Sequence, residues 1–320
     1  MAPVPIMRPS SDMADVDASV PDGTREGDRC LVLAASARGF HHVRQNLANQ
    51  DAWAHGDTRT GATAVAIADG HGHHRHFRSA KGAALAVEVA RRDAIGWATS
   101  RRSLVAPGSG ASAAVVSEAL RVGLLPRIWR DWRAAVEQDL GAEPFSAAEE
   151  AARQDDDRVM AYGATLLLAV VVGDWVLLGQ IGDGDVVAVT AEGASSCPVP
   201  SDSTLDGQRT TSLCQPDAID AFRVAVIDRR TFPLKLLLLA TDGYGNAQID
   251  DPWQPGVGRD LIALLAEQGA AWVGEQLPGW VQRCASAEGS GDDTTMALAV
   301  MADPARPRLG SPSRRTRKDR

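Results

Sequence analysis

The chain has 320 residues, a formal net charge of −8, and 44% hydrophobic against 23% charged residues, the balance of a protein that buries a globular core. Its acidity argues against general nucleic-acid binding, which calls for a basic surface. The longest apolar stretches, such as Ala164–Val172, fall short of a membrane span, and the N-terminal residues carry acids and prolines where a signal peptide has an apolar segment. The four cysteines, Cys30, Cys197, Cys214 and Cys284, form no C-x-x-C pair and are too sparse for a disulfide framework. Reduced thiols in a cytoplasmic protein, with no membrane and no nucleic acid as partner, are the expectation.

Residues 1–28 are rich in Pro, Asp and Ser without periodicity, the composition of a disordered segment. The same holds for 304–320, a tail with seven Arg or Lys and a single acid, Asp319. One domain, 29–303, is expected between them. It opens with strands at Cys30–Ser36 and Gly61–Ala68, the second halted by Asp69-Gly70. Ser79 is placed to cap a helix that runs to about Trp97. A second helical stretch runs from about Ala113 to Leu140, interrupted at Pro126, and Trp129, Trp132 and Val136 share a packing face on it. Residues 142–157 are polar and read as helix and surface loop.

Three strands follow, Ala164–Val172, Trp175–Ile181 and Asp185–Thr190, separated by the turn signals Gly173-Asp174 and Gly182-Asp183-Gly184. After an irregular segment, 191–220, come strands Phe222–Ile227 and Leu234–Ala240. A helical stretch, Gly258–Ala285, is broken near Leu277-Pro278, and Thr294–Met301 is a last strand. Helices lying between two strand groups, with many tight turns, predict an α+β four-layer α-β-β-α sandwich with two central antiparallel sheets.

Four aspartates lie where a predicted strand begins, ends or gives way to a turn: Asp51, Asp69, Asp242 and Asp292. A carboxylate at the end of a buried strand needs a base or a metal as partner, and several hard oxygen donors together suit Mg²⁺ or Mn²⁺. Any one such aspartate is more simply a turn residue. His71, His73, His74 and His76 crowd one loop, and a solvated loop accounts for them better than zinc, whose ligands are usually more widely spread.

Ala68-Asp69-Gly70-His71-Gly72, Gly163-Ala164-Thr165, Ile181-Gly182-Asp183, Ala240-Thr241-Asp242-Gly243 and Gly291-Asp292-Asp293-Thr294-Thr295 resemble, in this order, the motifs of the PPM-type (type 2C) metal-dependent serine/threonine protein phosphatases. Asn49-Gln50-Asp51-Ala52 is similar to the family's first acidic motif, and Thr211-Ser212-Leu213 to a segment of its bacterial branch. The resemblance covers roughly residues 30–301. It implies two Mn²⁺ or Mg²⁺ ions held by Asp51, Asp69, the carbonyl of Gly70, Asp242 and Asp292, with Asp69 bridging. Asp183 corresponds to a third, weaker metal site. It further implies attack by a metal-bridging hydroxide on phosphoserine or phosphothreonine, with His71 protonating the leaving oxygen from a near-neutral pKa. The partners implied are a phosphorylated protein and, in signal transduction, a Ser/Thr kinase or its targets.

Two features depart from the family pattern. The arginine that contacts phosphate is matched by Arg44, set further ahead of Asp51 than usual, with His41 and His42 beside it. The Ser-Arg expected after Asp183 is Gly184-Asp185, and the short 191–220 segment leaves room for only a small flap. Asp183-Gly184-Asp185 also admits a haloacid-dehalogenase-type phosphatase, which leaves the Asp69-Gly70-His71-Gly72 motif unused. A non-catalytic signalling module on the same fold is the other alternative.

Overall fold

A strand apolar at every position has two faces to bury. In the computed structural model, which describes residues 30–153, 157–202 and 210–302, the wholly apolar Leu166–Val172 and the nearly apolar Leu234–Ala240, with Lys235 its one charged residue, are the middle strands of two sheets. The segments 1–28 and 304–320, expected to be disordered, lie outside the described residues, as does part of the 191–220 segment. The strands are β1 (Leu31–Ala37), β2 (Ala52–Asp57), β3 (Thr63–Ala68), β4 (Leu166–Val172), β5 (Trp175–Ile181), β6 (Asp185–Thr190), β7 (Ser195–Ser196), β8 (Arg223–Asp228), β9 (Leu234–Ala240) and β10 (Thr294–Val300). They form two five-stranded sheets, ordered β1-β10-β9-β6-β7 and β2-β3-β4-β5-β8, and every pairing is antiparallel.

Side-chain parity shows how the sheets stack. In β4, Leu167, Ala169 and Val171 meet Leu237 and Leu239 of β9 and Ala297 and Ala299 of β10 in a core between the sheets. The alternate residues Leu166, Leu168 and Val170 face the other way, into a core shared with helices. Leu236 and Leu238 of β9 do likewise on the far side of their sheet. Each sheet is therefore buried on both faces, which is the expected four-layer α-β-β-α arrangement.

The helices are α1 (Phe40–Gln45), α2 (Ser79–Ser100), α3 (Arg102–Val105), α4 (Ala113–Ala119), α5 (Leu125–Ala142), α6 (Ala147–Ala152), α7 (Ala218–Ala221), α8 (Asp242–Gly245), α9 (Gln254–Glu267) and α10 (Ala270–Cys284). Helices α2 and α5 cover the β3–β4 sheet through Ala86, Val87, Ala90, Ile128, Trp132 and Val136. Leu261 of α9 and Val273, Leu277 and Val281 of α10 cover the other sheet. Among the described residues no helix is long and apolar enough to cross a membrane.

Several local expectations are corrected. Ser79 is the first residue of α2, not its cap, a position held by Arg78. Pro126 sits in the first turn of α5, where a missing N–H costs nothing, and the irregularity is a π turn, Leu120–Leu124, just before it. Pro278 lies inside α10. The helical break falls instead at Gln268-Gly269, where Gly269 takes a positive φ of 83°. Strand β2 was not foreseen because AWAHGD is a mostly half-buried edge strand with no apolar alternation. Gly173-Asp174 closes the β4–β5 hairpin as expected, but Gly182–Gly184 carries the chain from one sheet to the other.

The packing of α2 makes Gly82 a sensitive position. A Cβ there would lie 1.9 Å from the Tyr162 carbonyl oxygen, and the Gly82 carbonyl accepts from Trp132 Nε1 at 3.0 Å. Alanine in a helix interior gains about 1 kcal/mol over glycine, while forcing this backbone contact apart costs about 3 kcal/mol or more. Gly82→Ala is therefore expected to destabilise the protein by about 2 kcal/mol or more, and a urea midpoint at or above wild type would contradict it.

Candidate active site

The five aspartates singled out in the sequence stand at strand ends of both sheets. Asp51 precedes β2, Asp69 follows β3, Asp183 lies between β5 and β6, Asp242 opens α8 after β9, and Asp292 lies just ahead of β10. They meet at one end of the seam between the sheets because backbone bonds tie these ends together. Asp69 N–H donates to Thr165 Oγ1 at 2.9 Å, Thr165 N–H donates back to the Asp69 carbonyl at 2.8 Å, and Gly70 N–H donates to the Gln50 carbonyl at 3.1 Å. Thr241 Oγ1 donates to Asp51 Oδ2 at 2.8 Å across the seam.

A cavity of about 730 Å³ opens there, with Asp69, Gly70, His71, Asp183, Asp242 and Asp292 in its wall. Asp51 does not line it, but its Oδ1 is buried with no hydrogen-bond partner. Burial, then the charges of Asp293 and Asp242, push the Asp51 carboxyl up to about 8 against the bonds from Thr295 and Thr241. Asp69 is raised well above the usual carboxylate range by burial and by Asp51, Asp242, Asp292 and Asp183. Asp242 is raised to about 6 by burial and by the charges of Asp183 and Asp292. Buried carboxylates in mutual repulsion hold protons or bind cations.

The sequence model of the protein phosphatase 2C family matches residues 38–282, a span that contains Asp51, Asp69, His71, Asp183 and Asp242. The chain belongs to the protein phosphatase 2C family. It is, accordingly, a protein-serine/threonine phosphatase, and the substrates of this class are phosphorylated proteins. No curated protein matches the sequence. Among solved structures, PppA, described as a key regulatory component of T6SS in Pseudomonas aeruginosa, is 17% identical, with 86% of this chain and 99% of that one covered and a TM-score of 0.52. A bacterial serine phosphatase is 17% identical over 87% of this chain and all of its own, with a TM-score of 0.51. The serine/threonine phosphatase Stp1 from Staphylococcus aureus is 16% identical over 88% of this chain and 99% of its own, with a TM-score of 0.50. At these identities the likeness concerns the fold, and it agrees with the two antiparallel sheets found here.

The acidic residues of this 2C-family chain fit hard divalent cations in chemistry: all are oxygen donors, they repel one another, and one carboxylate oxygen is buried without a partner. Among the described residues, no group of three or more His, Cys, Asp or Glu side chains is arranged as it stands to hold a metal ion.

His71 faces the cavity with its ring 5.0 Å from that of His76. Burial and the neighbouring His76 push it down to about 3, so the ring is neutral at neutral pH, unlike the near-neutral acid expected from sequence. The histidine loop is not simply solvated: His76 Nδ1 bonds the Met160 carbonyl at 2.6 Å, and a Cβ on Gly163 would fall 2.4 Å from that Nδ1 and 2.9 Å from His71 Cδ2. Gly163 is thus required for both rings to pack as they do.

Arg44 is not brought into the cavity. It lies exposed on α1, its guanidinium carbon 5.6 Å above the Phe40 ring. His41 and His42 of the same helix, with Arg75, line the cavity instead. Asp185 also departs from the cavity wall: its Oδ1 accepts from Gln254 Nε2 at 3.5 Å and burial raises its carboxyl. Asp183 and Asp185 therefore do not converge, and the antiparallel sheets remove the haloacid-dehalogenase alternative. The reading of the sequence passed over Thr165, Thr241 and Asp293. All three stand within or directly beside the quoted motifs, which was the available signal.

Proposed function

We propose that this cavity hydrolyses phosphoserine and phosphothreonine esters of proteins with two divalent cations, Mn²⁺ or Mg²⁺. Asp51, Asp69, the Gly70 carbonyl, Asp242 and Asp292 would hold them, and Asp183 a third, weaker ion. The observation that carries this reading is the carboxylate cluster: burial and mutual repulsion raise Asp51, Asp69 and Asp242 together, a cost that cations would offset. When bound, the ions supply Lewis-acid charge to the phosphate ester and to the water that hydrolyses it. Thr165 and Thr241 hold the Asp69 backbone and the Asp51 carboxylate in place. His71 donates its proton to the departing serine or threonine oxygen, and the charge of the incoming phosphate favours the protonated ring that burial disfavours. A Ser/Thr kinase, or that kinase's targets, and a cytoplasmic location go with this reading.

Hydrolysis of a phosphothreonine peptide should appear with Mn²⁺, fall by at least about a hundredfold with excess EDTA, and return when Mn²⁺ is restored. Turnover indifferent to EDTA would refute the metal assignment.

A further inference from the structure

Asp293 does what its neighbour Asp292 does not: it ties three segments together beneath the cavity. The side chain of Asp293 is buried, with the residue 3% exposed. Its Oδ1 accepts from Gly39 N–H at 2.6 Å, and its Oδ2 accepts from Gln50 N–H at 2.5 Å and pairs with His42 Nδ1 at 2.8 Å. Both Asp293 oxygens already accept backbone N–H bonds, so Nδ1 is the donor in this pair. That settles the ring's orientation and leaves Nε2 as the outward nitrogen, without a hydrogen-bond partner among the described residues. His42 lines the cavity, and a Cβ built on Gly72 would lie 3.9 Å from both His42 Nε2 and Gln50 Oε1. Nε2 thus faces the Gly70–Gly72 turn beside Asp69 and His71.

The close seating of α1 serves this arrangement. A Cβ on Gly39 would fall 2.4 Å from the Asp292 carbonyl carbon and 2.6 Å from Asp293 N, so only glycine lets the helix start against the Asp292-Asp293 turn. His42 is thereby held at the same turn that carries Asp292, while Arg44, two residues on, remains exposed.

We propose that His42, oriented by Asp293, is the substrate-phosphate contact of this site. In its protonated form Nε2–H donates to a phosphate oxygen, a charge-assisted bond from a ring that is already positioned. Asp293 acts through His42 and is a positioning residue. The assignment rests on the phosphatase reading of the cavity and gives His42 the role that the sequence pattern assigned to Arg44.

The test measures phosphopeptide KM and kcat, and inorganic phosphate affinity by calorimetry, in the Mg²⁺-loaded protein. His42→Ala is expected to raise KM and weaken phosphate binding together by about tenfold or more, the size of one lost charged hydrogen bond, with kcat falling less than about threefold. His42→Gln, which keeps an amide donor, recovers part of the loss, and Asp293→Asn gives an intermediate loss. Arg44→Ala leaves both KM and phosphate affinity at the wild-type values. Phosphate affinity decides the matter: His42→Ala binding phosphate as wild type does, or Arg44→Ala losing as much, overturns the proposal. A wild-type protein that binds phosphate but hydrolyses no phosphopeptide would refute the phosphatase reading alone. The comparison of phosphate affinities would still judge His42.

Discussion

Asp69→Asn is expected to lower Mn²⁺-dependent kcat by about a thousandfold or more, about 4 kcal/mol in the barrier, while raising the Tm of the metal-free protein. The two effects have one origin. Asp69 lies at the centre of the cluster, where Asp51, Asp242, Asp292 and Asp183 all bear on its buried carboxyl. In the loaded enzyme Asp69 would be one of the carboxylates that hold the cations, and an amide carries no charge to offset theirs. Without metal, the same charge is a liability, and removing it relieves about 1–3 kcal/mol of burial and repulsion. The backbone bonds from Asp69 to Thr165 are untouched by the change, so the fold should survive. Asp242→Asn should act in the same direction with a smaller gain in stability, because its carboxyl is raised only to about 6. The checks are kcat at saturating Mn²⁺ and thermal unfolding in EDTA. Near-wild-type turnover of either variant would remove that residue from the ligand set.

The metal-free protein should also lose stability as pH rises from 6.5 to 8, by about 2 kcal/mol. Asp51 holds its proton up to about pH 8 in the folded state but releases it near pH 4 when unfolded. Stability from a raised carboxyl is present at low pH and is lost as pH climbs towards the folded value. Asp242, raised to about 6, adds to the decline at lower pH. His71 has the opposite sign: lowered to about 3 in the folded state, it costs stability below its unfolded value of about 6.5. From 6.5 to 8 the aspartates therefore dominate, the fading His71 penalty offsetting only about 0.4 kcal/mol. Millimolar Mn²⁺ should flatten the slope, since bound cations take the place of the protons, and at a hundred times Kd should add about 2.7 kcal/mol. Urea unfolding at several pH values, with EDTA and with Mn²⁺, measures both. A stability that rises through this window in EDTA would contradict the electrostatics of the cluster.

What the sequence determined by itself was whatever depends on neighbours along the chain. The apolar runs of β4, β5, β9 and β10 marked buried strands, since a strand covered on both faces has no polar side to confuse the pattern. Asp69, Asp242 and Asp292 were legible because each breaks such a run at its end, and the ordered motifs around them named the family. The edge strand β2 was not legible, because one solvated face and a single partner strand demand little of its residues. Nor was the turn at Gly182–Gly184, because a local signal cannot say whether the next strand joins the same sheet or the opposite one.

Only the tertiary structure decided which basic group faces the cavity. Arg44 and His42 are two residues apart on α1, and no periodicity in so short a helix says which side is covered. The choice is made by Asp293, 251 positions along the chain from His42, and by Gly39, whose missing Cβ lets α1 rest on the Asp292-Asp293 turn. The raised carboxyls are likewise a property of the fold: apart in sequence, Asp51, Asp69 and Asp242 are ordinary acids. They become a charged cluster because stacking two sheets brings their strand ends into one buried place, where a low dielectric makes each feel the others.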